Sequence, residues 1–274
     1  MAIARATTVV DLDAHIREVE AAEALKTFTD SDEVRNMQLD YSEVRFDSQI
    51  NYLLDQLNPG EQMDTIDQLE QSNNTSQIQP MQIRRYEEVK NSYTWTSEHG
   101  FSVGVTVSAK IKVPFVGGID TSVETSYSYT STESQTEEKT RGWDFTQTVN
   151  VAPYTKVIAL LMLQKTKPRI PYTLSCTITG NVKTAADLYY RGQLKGYYEY
   201  AAPVSMYIAI KPLANFRWEG YAAYFTSSGI FTANEGIKAL IDLKETPLQG
   251  GRAAEHRIID VTPGMERQVR RLEQ

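Results

Sequence analysis

The chain has 274 residues, 41% of them hydrophobic and 23% charged, which is enough apolar material for one large or two modest cores. A net charge of -7 and a pI near 5.2 exclude nucleic acid as the main partner and exclude a polybasic membrane anchor, since both need a concentrated basic surface. The single cysteine, Cys176, excludes a disulfide within the chain, and the longest strongly apolar run, Val157–Leu163, is far short of the roughly 20 residues that a membrane-crossing helix requires.

The first residues, Met1–Asp13, hold no apolar stretch of the signal-peptide kind, so a signal is either absent or removed before this numbering. Val9, Leu12, Ile16, Val19 and Ala22 then recur at three and four residues with charges between them, which predicts a helix. A second helix is expected after Asp47, with Ile50, Leu53, Leu54 and Leu57 on one stripe and Asn58-Pro59-Gly60 as its stop; residues 30–46 between the two are ambiguous. From about residue 60 the spacing becomes β-like. Asn73-Asn74-Thr75-Ser76 reads as a polar turn, and both asparagines satisfy the glycosylation pattern. Short strands are expected within Ser92–Ser97, Trp143–Val151, Lys156–Gln164, Tyr172–Thr179, Val204–Ile210, Phe216–Thr226 and Ile237–Leu243, each rich in Val, Ile, Thr, Tyr or Phe and bounded by turn residues. Residues 249–274 open on Gly250-Gly251 and read as a flexible tail with scattered arginines.

The most informative stretch is 101–130. Phe101, Val103, Val105, Val107, Ala109, Ile111, Val113 and Phe115 share one face, and Ser102, Gly104, Thr106, Ser108, Lys110 and Lys112 share the other. Pro114 and Gly117-Gly118 sit where a reversal is expected. On the return run Ile119, Thr121, Val123, Thr125, Tyr127 and Tyr129 share a face, opposite Asp120, Ser122, Glu124, Ser126, Ser128 and Thr130. Both arms exceed the roughly 9–11 residues of a membrane-spanning strand, whereas soluble strands average about 5–6. In a barrel the polar face lines a wet lumen and the apolar face meets lipid. One hairpin cannot close such a barrel, so insertion demands a homo-oligomer. The same period also fits a half-buried hairpin on a soluble sheet.

HGFSVGVTVSAKIKVPF, VETSYSYTSTES, TQTVNVAPYTKVIALLMLQK, the upstream NNTSQIQ and SSGIFTANEGIKALIDLKETPL resemble the aerolysin-like β-pore-forming toxins, specifically the group of clostridial epsilon toxin and the mosquitocidal toxins. The resemblance covers roughly residues 63–248. It implies an elongated antiparallel β-protein, to which the helical spacing before residue 60 adds a small helical N-terminal region, so a mainly β fold is expected. The first 60 residues match nothing in that group, so the chain divides into 1–62 as a partly helical cap or receptor-binding part, read from its spacing, 63–248 as the pore-forming module, and 249–274 as a tail and possible activation peptide. The resemblance implies release as a soluble protein, then docking on a target-cell membrane through a glycan, lipid or protein receptor. It further implies insertion of a hairpin whose lipid face is Val103, Val105, Val107, Ala109, Ile111, Val113, Ile119, Val123 and Tyr127. Pro114, Phe115 and Val116 are then the tip, and Thr106, Ser108, Lys110, Lys112, Asp120, Ser122 and Glu124 the lumen face. Trimming of a terminal peptide is common in that group, which makes Arg252 and Arg257 candidate cleavage points.

The clustered Tyr189, Tyr190, Tyr197, Tyr198 and Tyr200 are candidate receptor contacts, each offering a flat apolar ring with a polar tip, although packing as strand and turn residues on the sheet is the favoured account of them. No cofactor is expected. His15, His99 and His256 lack ligand spacing, no phosphate loop or nucleophile elbow is present, and Glu133, Glu137 and Glu138 lie in a solvated run. Catalysis is therefore not expected. The alternative to a pore former is a lectin-like or adhesin-like β-protein that never inserts.

Overall fold

A computed structural model describes residues 8–58, 60–112, 124–129, 134–249, 254–262 and 269–272. Strand β1 (Thr8–Asp11) runs into helix α1 (Leu12–Thr27), where Asp11 caps the helix by accepting from the Ala14 N–H at 2.9 Å. Leu12, Ile16, Val19 and Ala24 form its buried face. The strands that follow are β2 (Glu33–Asp40), β3 (Arg45–Tyr52), β4 (Glu61–Asn73), β5 (Gln79–Ser97), β6 (His99–Ser102), β7 (Ser108–Lys112), β8 (Glu124–Ser128), β9 (Gln135–Val151), β10 (Thr155–Thr166), β11 (Arg169–Thr179), β12 (Asn181–Tyr190) and β13 (Gln193–Pro203). Helix α2 (Val204–Ile210), β14 (Phe216–Glu219), β15 (Ala222–Pro247), β16 (Glu255–Asp260) and β17 (Val269–Leu272) complete the described chain.

Strand β15, at 26 residues, is the spine. Its first half pairs antiparallel with β11, β14 and β5, and its second half with β10 and β16. On the far edges β3 pairs with β11, β4 with β10, and β9 with β5. A separate three-stranded sheet runs β13-β12-β2. Two large apolar clusters hold this frame. One joins α1, α2, β11 and the first half of β15, with Trp95, Phe101, Tyr172 and Phe225 fully buried. The other packs the inner faces of β5 and β9 (Ile83, Trp143, Phe145) on β10 and the second half of β15 (Leu161, Leu163, Ile241). A third, smaller cluster seats α1 on β12 and β13.

The polar turn at residue 73 is tied down by its own amide. Asn73 is buried; its Nδ2 donates to the carbonyls of Gln77 (2.6 Å), Val151 (3.1 Å) and Ala152 (3.0 Å), and its Oδ1 accepts from the Thr75 N–H at 3.0 Å. A buried amide with this many partners stabilises the turn, because it ties the carbonyls of Gln77, Val151 and Ala152 to one side chain; the Gln77 carbonyl also accepts from the Thr75 hydroxyl at 3.1 Å.

Several expected elements differ. Residues 45–52 form β3 and not a helix: Phe46, Ile50 and Tyr52 alternate inward against β11, and the helical stripe loses to that pairing, leaving Leu53 and Leu54 exposed. Val204–Ile210 is helix α2 and not a strand; Val204, Ser205, Tyr207 and Ile208 are buried, a helical spacing that a short apolar run does not reveal. The expected strand Phe216–Thr226 is split at Gly220 (φ +56°) into β14 and the start of β15. The segment expected as a flexible tail contributes β16 and β17, with Ile259 buried in the second cluster. Among the described residues no helix is long and apolar enough to cross a membrane.

Candidate functional site

The candidate membrane-acting region grows out of a long stem. Strands β5 and β9 pair over 17 residues, from Gln79 opposite Val151 to Trp95 opposite Gln135. On their outer face Thr94 and Thr136 hydroxyls lie 2.9 Å apart, and the frame continues to Thr96 and Ser134, also 2.9 Å apart. Phe101 then donates its N–H to the Tyr129 carbonyl at 3.0 Å, in that same frame. Their rings sit 5.2 Å apart within a buried aromatic cluster that includes Phe46, Phe216 and Phe225.

Beyond that point the frame changes. Tyr129 donates its N–H to the carbonyl of Val107, and β7 pairs with β8 as Ser108 opposite Ser128 through Lys112 opposite Glu124. Between the two ladders the outgoing side carries residues 96–107 and the return side 129–134, a surplus of six on the outgoing side. That surplus is looped out between the two bonds made by Tyr129. The predicted single long arm from Phe101 is therefore two pieces, β6 and β7, because Phe101, Val107 and Tyr129 turn into the core.

An N-terminal strap holds the loop. Strand β1 pairs in parallel with β6, Val10 opposite Phe101 and Asp11 opposite Ser102. Asp13, in the first turn of α1, accepts from the Gly104 N–H at 2.9 Å and from the Tyr41 hydroxyl. A Cβ on Gly104 would come within 3.1 Å of the Asp13 carboxylate, so glycine admits this close approach.

Of the predicted lipid-face residues, Val103 is half-buried, Val105 is 40% exposed and Val107 is buried. Ala109 and Ile111 lie on β7 and Tyr127 on β8, with Ala109 opposite Tyr127 and Ile111 opposite Thr125. Thr106 and Ser108 of the lumen set are exposed, Lys110 is opposite Ser126, and Lys112 is opposite Glu124. Val113, Pro114, Phe115, Val116, Ile119, Asp120, Ser122 and Val123 lie outside the described residues, as does Arg252. Arg257 is within β16, where it donates to Glu245 at 2.8 Å, so cutting there requires β16 to leave β15.

The tyrosine cluster divides by strand alternation. Tyr198 is buried against Phe28, which pushes its hydroxyl pKa up to about 12, and it is a core residue and not a surface contact. Tyr189 stacks under Arg35 (4.5 Å) and Tyr190 under Arg191 (5.2 Å). Tyr197 and Tyr200 are exposed and border a cleft of about 530 Å³ with Gln38, Asp40, Lys183 and Glu199. Tyr200 also donates to the Met206 sulfur at 3.7 Å, and Met206 borders a second cleft with Trp218 and Tyr221. Trp218 and Tyr221 are well exposed and escaped the sequence reading; the signal available was two aromatics flanking a turn glycine.

Other chemistry is sparse. Among the described residues no group of three or more His, Cys, Asp or Glu is placed to hold a metal ion. Burial pushes the Cys176 thiol up to about 11, which suits an inert core residue. On α1, Glu20 is buried and accepts from the Tyr207 hydroxyl at 2.9 Å; desolvation raises its pKa. Burial lowers the pKa of His15, which lies nearer the start of the same helix.

Comparison with known proteins fits this architecture. The family model of Clostridium epsilon toxin ETX/Bacillus mosquitocidal toxin MTX2 matches residues 27–256. The pesticidal crystal protein Cry15Aa of Bacillus thuringiensis subsp. thompsoni is 32% identical over 196 residues, covering 65% of this chain. The match spans only 56% of that relative's length. Among solved structures, a chain of the Cry23Aa1–Cry37Aa1 binary protein complex superposes with a TM-score of 0.69 at 19% identity, covering 94% of this chain and 98% of that one. A non-toxic crystal protein from Bacillus thuringiensis gives 0.64 at 14% identity, covering 89% and 100%. The Mpp75Aa1.1 β-pore-forming protein of Brevibacillus laterosporus gives 0.53 at 14% identity, covering 96% and 98%. With residues 27–256 matched by the family model, the chain belongs to the Clostridium epsilon toxin ETX/Bacillus mosquitocidal toxin MTX2 family.

Proposed function

We propose that this protein is a β-pore-forming toxin that docks on a target-cell membrane, assembles with copies of itself and contributes one hairpin per protomer, drawn from residues 101–130, to a transmembrane barrel. The observation that carries this reading is the pairing of β7 with β8. It sets odd-numbered residues opposite odd and even opposite even, so the alternation of each arm adds up to one apolar and one polar face. The stem that leads into it is already a 17-residue antiparallel ladder. In the soluble form Val107 is buried and Val105 is exposed singly, which keeps a lipid-facing surface stored without a large apolar patch. In the pore, Val103, Val105, Val107, Ala109, Ile111, Val113, Ile119, Val123 and Tyr127 face lipid, Pro114, Phe115 and Val116 form the tip, and Lys110, Lys112, Asp120 and Glu124 set the charge of the lumen.

Docking falls to the aromatic belt of Tyr197, Tyr200, Trp218 and Tyr221, whose flat rings suit a glycan, headgroup or protein receptor. Release of β16 by a cut near Arg252 or Arg257 is a route to activation. The experiment is dye release from vesicles carrying extracted target-cell membrane lipids and proteins, with an environment-sensitive fluorophore placed at residue 105 or 106. Dye release with a lipid-like signal at 105 and a wet signal at 106 is expected. The exposed belt beside a polar cleft also favours a second reading, a lectin-like protein that binds and never inserts; binding with no release and wet signals at both positions would establish it.

A further inference from the structure

Resting on the insertion reading above, we infer that deployment re-registers the hairpin by six residues: the looped-out surplus at 102–107 is drawn into the outgoing strand, and stem and hairpin come to share one ladder. The soluble structure holds two frames that meet at Tyr129. Its carbonyl accepts from Phe101 in the stem frame, and its N–H donates to Val107 in the hairpin frame. A barrel wall in hydrocarbon cannot keep six residues of unpaired backbone looped out, because each unpaired N–H and C=O there costs several kcal/mol. One frame must yield. The stem is a ladder of 17 residues anchored by the fully buried Trp143 and Phe145, whereas β7 and β8 each contribute 5 residues. The short ladder therefore slips to the frame of the long one.

The size of the surplus makes the slip conservative. Six is even, so every side chain keeps its face, whereas an odd shift would turn the lipid face into the lumen. In the stem frame Val103 comes opposite Tyr127, Val105 opposite Thr125 and Thr106 opposite Glu124. By residue count the same frame brings Lys110 opposite Asp120 and sets Phe115 at the turn. The strap of β1 and Asp13 holds the surplus in its stored place, through the β1–β6 pairing and the Gly104 N–H.

The test uses two double-cysteine variants of the full chain that share position 124. Lys112 and Glu124 are directly opposed in the soluble structure, while Thr106 lies six residues away from Lys112, about 20 Å along a strand. K112C/E124C and T106C/E124C are oxidised with copper phenanthroline in solution, and separately after assembly on the same vesicles. Cys176 is buried and does not compete. The 112–124 bridge is expected to close in solution and to slow dye release at least tenfold relative to the same protein reduced, with full recovery on adding dithiothreitol. The 106–124 bridge is expected to close in the assembled pore and not in solution. If the bridged K112C/E124C protein leaks at its reduced rate, or if 112–124 and not 106–124 closes in pores, the hairpin keeps its stored register and the inference is overturned while the insertion reading stands. If the unsubstituted chain releases no dye, the insertion reading fails and takes this inference with it.

Discussion

Replacing Asp13 with Ala is expected to speed pore opening. The Asp13 carboxylate holds two donors, the Gly104 N–H at 2.9 Å and the hydroxyl of the buried Tyr41. Hydrogen bonds to a charged group contribute about 1.5–3 kcal/mol when shielded, and the solvent-facing Gly104 bond sits near 1 kcal/mol. Withdrawal of the loop breaks the Gly104 bond and leaves the Tyr41 bond in place, so only the first share acts on release. With about 1.4 kcal/mol per tenfold in rate, Asp13→Ala should open pores roughly fivefold faster where strap release limits the process. The Tyr41 share, with about 0.3–1 kcal/mol for the lost negative charge at the start of α1, appears instead as a lower melting temperature. Asp13→Asn keeps an oxygen acceptor and should fall between Ala and the parent on both measures. The assay is the rate of vesicle dye release at matched bound protein, alongside hydrogen exchange of residues 102–106 in the soluble form. Faster exchange at Gly104 without faster leakage would refute the strap as the restraint on deployment.

The remaining predictions probe the hairpin, the core and the turn. Val105→Arg should leave the soluble fold intact, since Val105 is 40% exposed, yet abolish dye release, because a lipid-facing arginine costs about 2–4 kcal/mol per protomer near the bilayer midplane; Thr106→Arg on the wet face should only change ion selectivity. Glu20 supplies a pH signature. Desolvation raises its folded pKa above the ordinary glutamate value of 4.5, so the stability contributed by its neutral form is complete below that value and lost as pH rises through the folded pKa. Glu20→Gln keeps the acceptor for Tyr207 but cannot ionise, and should melt above the parent near pH 8 and level with it near pH 4. His15 works in the opposite window, its share present above 6.5 and lost as pH falls through its lowered folded pKa, and a neutral substitution at Glu20 leaves that limb in place. Asn73→Ala strips partners from the carbonyls of Gln77, Val151 and Ala152 and should lower the urea midpoint by an amount equivalent to about 2–3 kcal/mol, with an unchanged slope.

The amino-acid sequence by itself determined the β character of the chain and the presence of the helix that spans Leu12–Thr27, because these follow from local periods of two and 3.6 residues that each segment carries alone; the two faces proposed for the hairpin rest on the same period of two. The inward direction of Tyr198 and the outward one of Tyr197 also follow from alternation once β13 has a partner, but the sequence does not say which face that partner covers. Tertiary structure alone decided that residues 45–52 pair with β11 as a strand, that Val204–Ile210 coils as a helix, and that residues 255–260 join the sheet. It alone decided the strap, in which residues near the start of the chain meet His99–Ser102 and Gly104, and the two frames that meet at Tyr129. Period fixes which side of a strand is apolar. Register and the fate of surplus residues depend on which distant segments compete to bury Phe101, Val107 and Tyr129, and that competition is a property of the assembled core.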